Sequence, residues 1–163
     1  MRPVLPLATQ TWLYGSAKLL LVLHAAAAIV LIGASTHHSI ITVGYLRGTY
    51  KLRLGRIYAA TVAVAYAVTF ALGSIVYPTY RYHVRGLYLD RHAIWASNLF
   101  DIKENFAAFG VPLVLGVLLL SRVMKPKEER HLLPPYAGLV FLSTAIIWFN
   151  TFSGLVITMA RSV

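Results

Sequence analysis

Six histidines and no cysteine set the range of chemistry open to this 163-residue chain. Without a thiol there is no disulfide framework, no thiolate metal centre and no thiol nucleophile. His24 stands about two turns inside Lys18, in a run of leucine, valine and alanine. A polar ring there must find a partner: an interhelical hydrogen bond, a haem or other metal, or a quinone with which it exchanges a proton. His38 follows fourteen residues later. At about 100° per residue that is roughly 40° short of four turns, so the two rings share a helix face about 21 Å apart, as two stacked cofactors on one helix would require. His37 points about 100° away from His38. No other apolar run holds a histidine, so opposing ligands have to come from connections, His83 and His92 on the His24 side and His131 on the His38 side.

His92 is the expected second iron ligand, because it is placed to begin the third helix. His83 instead belongs to the stretch Tyr77, Pro78, Thr79, Tyr80, Arg81, Tyr82, His83, whose tyrosines and arginines suit an interfacial belt. The expected site is thus a b-type haem held by His24 and His92, with Arg81 and Arg85 available to its propionates and His38 as a further cofactor contact. A quinone near Glu104 is the alternative cofactor.

Residues 99–105 hold the strongest intramembrane charge candidates. Asp101 and Glu104 are three apart and are neighbours on a helix, whereas Lys103 points elsewhere. In an exposed first turn the carboxylates would simply complement the helix dipole. Sunk to the level of His24, they would form a histidine and carboxylate couple suited to proton transfer. Residues 99–110, together with a histidine in the first apolar run, resemble a block found in small four-span bacterial membrane proteins of no assigned activity. The resemblance implies a bacterial four-span unit and supplies no ligand residue. No GxSxG, P-loop, HExxH or EF-hand pattern occurs, so no independent catalytic motif is present.

The elements that must position these groups follow from composition. With 58% hydrophobic and 12% charged residues and a mean hydropathy of +0.68, the chain cannot coat a water-soluble globule and is not disordered. Four apolar runs bracketed by charge predict spans at about 18–46, 56–78, 98–122 and 135–160. No alternating ten-residue pattern marks a barrel, so the fold class is all-α, an integral membrane four-helix bundle forming a single transmembrane domain over residues 1–163. The third run is short, with 17 residues between Glu104 and Arg122 and Pro112 among them, which predicts a helix that starts near Asp90 and carries charge partly into the bundle. Ala59, Ala63, Ala67 and Ala71 suggest a close-packing stripe. Thr144, Thr151 and Thr158, beside Ser143, Asn150 and Gly154, suggest a hydrogen-bonded seam.

The net charge of +10 is carried at the ends of apolar runs, which points to anionic headgroups and away from nucleic acid. The apolar run continues past the small residues that follow His24, so an uncleaved first span is expected rather than a signal peptide. Residue 2 is Arg and cysteine is absent, so no lipidation signal is available. An even number of spans puts both termini on one face. Eight basic residues, Arg47, Lys51, Arg53, Arg56, Arg122, Lys125, Lys127 and Arg130, fall in two short connections opposite the termini. Seven lie on the terminal side, more dispersed: Arg2, Lys18, Arg81, Arg85, Arg91, Lys103 and Arg161. The expected location is a bacterial inner membrane with both termini non-cytoplasmic.

Two functions remain open from sequence. One is a membrane subunit of a redox or respiratory electron-transfer complex, binding haem or quinone near His24. The other is a structural or assembly subunit that packs against other membrane subunits or a second copy of itself. A transporter ranks third, because four spans show no pair of broken helices.

Overall fold

In lipid every backbone N–H and C=O must be paired within the protein, and this chain meets that demand with four long helices. The computed structural model describes residues 13–162. A 3-10 turn, Tyr14–Ser16, leads into α1, Ala17–Leu46. α2 is Leu52–Tyr80, α3 is Ile94–Val123, and α4, Leu133–Ala160, opens with proline in its first turn, where no N–H is needed. Four helices are long and apolar enough to cross a membrane, and no strand occurs among the described residues. At 28 to 30 residues for α1, α3 and α4, each measures roughly 42–45 Å at helical rise. A hydrocarbon core is about 30 Å thick, so the ends reach the headgroup layers.

The predicted bounds hold within a few residues for α1 and α4 and need correction between α2 and α3. Residues 78–98 are not chiefly an open connection. Beyond Pro78 the chain stays helical, widening into π-type turns over Arg81–Leu89 and closing with one α-turn, Asp90–His92. The segment stays folded because Val84 and Leu89 are buried against the end of the bundle. His92 therefore ends the second helical run and does not begin the third. The break falls at Ala93, with φ −149° and ψ 60°, whose carbonyl then accepts from Ala96 and Ser97.

Each helix packs on its two neighbours in a closed ring: α1 on α2 and α4, and α3 on α2 and α4. Short connections between α1 and α2 and between α3 and α4 fit an up-and-down bundle. Three apolar layers fill it, around Tyr45 and Tyr136 at the loop end, Leu31 and Tyr66 in the middle, and Tyr80 and Phe100 at the terminal end.

Two expected packing faces shift. Ala59 is buried and Ala63 half-buried, but Ala67 and Ala71 are exposed. A four-residue repeat drifts about 40° per step, so three steps carry the stripe roughly 120° off the contact face. Of the three α4 threonines, Thr144 joins another helix, contacting Ser39 Oγ at 2.9 Å and the Ser35 carbonyl at 3.3 Å. Thr151 and Thr158 donate to their own i−4 carbonyls, Ile147 and Gly154, and so need no partner helix. Trp148 Nε1 adds a bond to Thr36 Oγ1 at 3.1 Å.

Candidate functional site

His24 leans from α1 onto α2. Its Nδ1 lies 2.9 Å from the carbonyl oxygen of Thr69, and since a carbonyl only accepts, Nδ1 carries the proton. Nε2 is thereby left with its lone pair. The ring fits because residue 73 is glycine: a Cβ there would lie 3.1 Å from His24 Cε1 and 3.4 Å from Nδ1.

Lys103 comes from α3 and reaches toward α4. Its ammonium lies 5.9 Å from the centroid of Phe100, and its Cε would stand 3.2 Å from a Cβ at Gly154 of α4. Among the described residues no carboxylate lies within ion-pair distance of Lys103. Phe100 stacks in turn on Tyr80, with centroids 4.8 Å apart. Tyr80 Oη and Asn150 Oδ1 are buried, and neither has a hydrogen-bond partner among the described residues. Asn150 is one turn from Gly154 on the same side of α4. His24, Tyr80, Lys103 and Asn150 thus place one polar side chain from each helix in the terminal half of the bundle.

The depth of His24 and Lys103 follows from counting back from the basic loops. His24 is 23 residues from Arg47, and Lys103 is 19 from Arg122. At helical rise both lie roughly 30 Å from the loop face, which is the far edge of the hydrocarbon core.

Arg81, Arg85, Asp90 and Asp101 lie at the terminal end of the bundle. Arg85 grips Asp101 through both guanidinium arms, at 2.5 and 2.8 Å, and its Nε is 3.6 Å from Asp90, which also accepts from the Ser97 hydroxyl. This network pins the π-type segment to the start of α3. Arg81 donates to Tyr77 Oη and lies over the Tyr77 ring. Glu104 is half-buried with Arg81, Arg85, Lys103 and Asp101 as its charged neighbours.

His92 is exposed, stacked on Tyr88 at 4.9 Å, with Nδ1 donating to the Tyr88 carbonyl at 3.1 Å. It sits 23 residues beyond Thr69 in the same helical run, and the structure does not bring it to His24. Among the described residues no group of three or more His, Asp or Glu side chains is arranged to hold a metal ion. His38, expected on the His24 face, engages α4 instead of α2: its Nε2 is 2.8 Å from Tyr136 Oη, and both side chains are fully buried. His37 bonds back to the Gly33 carbonyl at 2.8 Å and stacks on Tyr58.

Sequence reasoning missed Lys103 as a site residue, together with the two glycines that admit it and His24. Asn150 and Gly154, one turn apart on α4, were the available signal. Compared with protein-family models, with curated proteins and with solved structures, the chain finds no match.

Proposed function

We propose that the protein is a membrane subunit of a bacterial redox or electron-transfer complex in which His24 holds the redox cofactor, a b-type haem or a quinone, at the edge of the hydrocarbon core. The observation that carries this is the bond from His24 Nδ1 to the Thr69 carbonyl. Ligating imidazoles are oriented by such a bond to a backbone carbonyl, which fixes the tautomer and turns Nε2 toward the ligand. A five-coordinate haem or a hydrogen-bonded quinone suits this arrangement. A six-coordinate haem with His92 would require the Asp90–His92 turn to leave its place.

The orientation that goes with this role has the two basic loops in the cytoplasm and both termini on the other side. Of the seven basic residues assigned to the terminal side, Lys103 is drawn into the bundle. The eight loop residues then face six, and the density of Lys and Arg next to span ends is what sets topology.

The test is direct. The protein purified with native lipid should show haem bands in reduced-minus-oxidised spectra or yield quinone on extraction, and either should be lost in His24→Ala. A second reading, an assembly subunit, is favoured by one observation: His37 and His38 are already satisfied by internal hydrogen bonds. A colourless, quinone-free protein that co-purifies with other membrane subunits would favour that reading.

A further inference from the structure

We infer that the face carrying the two short loops binds an anionic phospholipid headgroup, held across the start of α2 and the end of α3 by Lys51, Arg53, Arg122 and Lys127. The inference is independent of the cofactor proposed at His24 and concerns the opposite end of the bundle.

The charge on this face is uncompensated. Arg47, Lys51, Arg53, Arg56, Arg122, Lys125, Lys127 and Arg130 stand against two carboxylates, Glu128 and Glu129, which leaves a net charge of +6. Both carboxylates turn to Lys125. Glu128 lies 3.3 Å from its ammonium, and Glu129 accepts its backbone N–H at 2.8 Å. Among the described residues no carboxylate lies within ion-pair distance of the other seven cations. Lys51, Arg53, Arg122 and Lys127 are all exposed.

The two loops, distant in sequence, form one surface. Arg56 donates from Nε to the Ser121 carbonyl at 3.1 Å and from Nη2 to the Arg122 carbonyl at 3.3 Å. It thereby ties the last turn of α3 to the beginning of α2, where a cation also complements the carbonyl end of the helix. Leu52, Gly55, Met124 and Pro126 line a shared cavity of about 10 Å³. Met124 and Pro126 are buried, and Lys125 and Lys127, which alternate with them, are exposed. Tyr45 Oη holds the first loop by donating to the Lys51 carbonyl at 3.2 Å. The cations therefore stand on backbone that is already fixed, so a headgroup has to order their side chains and not the loops.

The neighbours of these charges select the occupant. Leu46, Leu54 and Ile57 are exposed beside Arg47, Arg53 and Arg56, and exposed Val123 follows Arg122. A phospholipid satisfies both kinds of group in one molecule, with its phosphate on the cations and its acyl chains on the apolar side chains. An acidic protein surface would satisfy only the charges. The terminal face is built differently, because Arg85 there is gripped by Asp101 and lies 3.6 Å from Asp90.

The experiment places the full chain in nanodiscs that mix phosphatidylcholine with phosphatidylglycerol and reads, by electron paramagnetic resonance, how much spin-labelled lipid the protein immobilises. Phosphatidylglycerol should be immobilised in preference to phosphatidylcholine, by a margin that shrinks as salt is raised. The relative affinity should fall on the order of fivefold in Arg53→Gln and again when Lys127→Gln is added. Neither side chain has a hydrogen bond or ion pair among the described residues, so both variants should fold. Arg91→Gln, at an exposed cation of the terminal face, should keep the parent value. A parent protein with no preference for phosphatidylglycerol overturns the inference. A preference that survives the double variant, or falls equally in Arg91→Gln, overturns its placement on the loops. Loop variants that lose a protein partner and keep the lipid preference would make an acidic protein the occupant and overturn the lipid site.

Discussion

A Cβ at residue 73 would stand 3.1 Å from Cε1 of His24, so the histidine reaches the Thr69 carbonyl because Gly73 leaves the space. The relationship recurs at each level of the bundle. Gly154 makes room for Lys103, Gly110 for Tyr66 and Gly55 for Tyr45. In lipid there is little hydrophobic drive between helices, and close approach at small residues supplies contact instead. Here the small residues also let polar-tipped side chains cross from one helix to the next.

Gly73→Val should therefore displace the His24 ring. Overpacking of this kind costs about 1–3 kcal/mol, read as a lowered unfolding midpoint in detergent. Insertion and helix content should not change, because the helix itself gains a side chain it tolerates. A Gly73→Val protein as stable as the parent would show that the ring has room elsewhere.

Tyr66 and Gly110 give a cleaner pair, remote from the proposed cofactor. Tyr66 Oη donates to the Ala107 carbonyl at 2.7 Å, and an added Cβ at residue 110 would collide with its ring and hydroxyl. Gly110→Ala should cost about 1–3 kcal/mol alone and much less in a Tyr66→Ala background. A double-mutant cycle should return a coupling above roughly 0.5 kcal/mol. Additive effects would mean that the notch does not constrain the tyrosine.

The clamp between Arg85 and Asp101 is bidentate, yet the Asp101 side chain is 46% exposed. Solvent screening limits such a pair to at most about 1 kcal/mol. Asp101→Asn should lower the midpoint slightly, and the difference from the parent should shrink as salt is raised. A loss of several kcal/mol, insensitive to salt, would mean that the pair is drier than its exposure indicates.

Topology separates the two faces. A reporter fused at residue 127 should read cytoplasmic and one fused after residue 163 should read non-cytoplasmic. The reverse pattern would invert the orientation, and the same side for both would remove one span from the count.

The four spans were legible because about 20 apolar residues between charges leave few alternatives in lipid. The extension beyond Pro78 was not. Arg81, Arg85 and Arg91, with two tyrosines and two histidines among residues 81–92, read as an interfacial connection. Nothing in their order signals that Val84 and Leu89 cap the bundle while the turns widen. The short apolar run of α3 predicts a helix that starts near Asp90 and carries charge into the bundle; the helix starts at Ile94, Lys103 lies against Gly154 of α4, and Asp101 stays 46% exposed. Where Lys103 goes depends on which helix stands opposite and in what register, which one sequence does not contain. The same gap hid the glycine notches. It also misdirected Asn150, expected to be hydrogen-bonded and found with a buried Oδ1 that has no partner among the described residues.

The measurement closest to the central claim is a redox titration of the purified protein in native lipid, comparing the parent with His24→Ala. The account predicts a reversible cofactor signal, quinone radical or haem band, in the parent and its loss in His24→Ala while the unfolding midpoint and helix content stay near those of the parent. A cofactor signal unchanged by His24→Ala, or a stable parent protein with no redox signal at all, would contradict it.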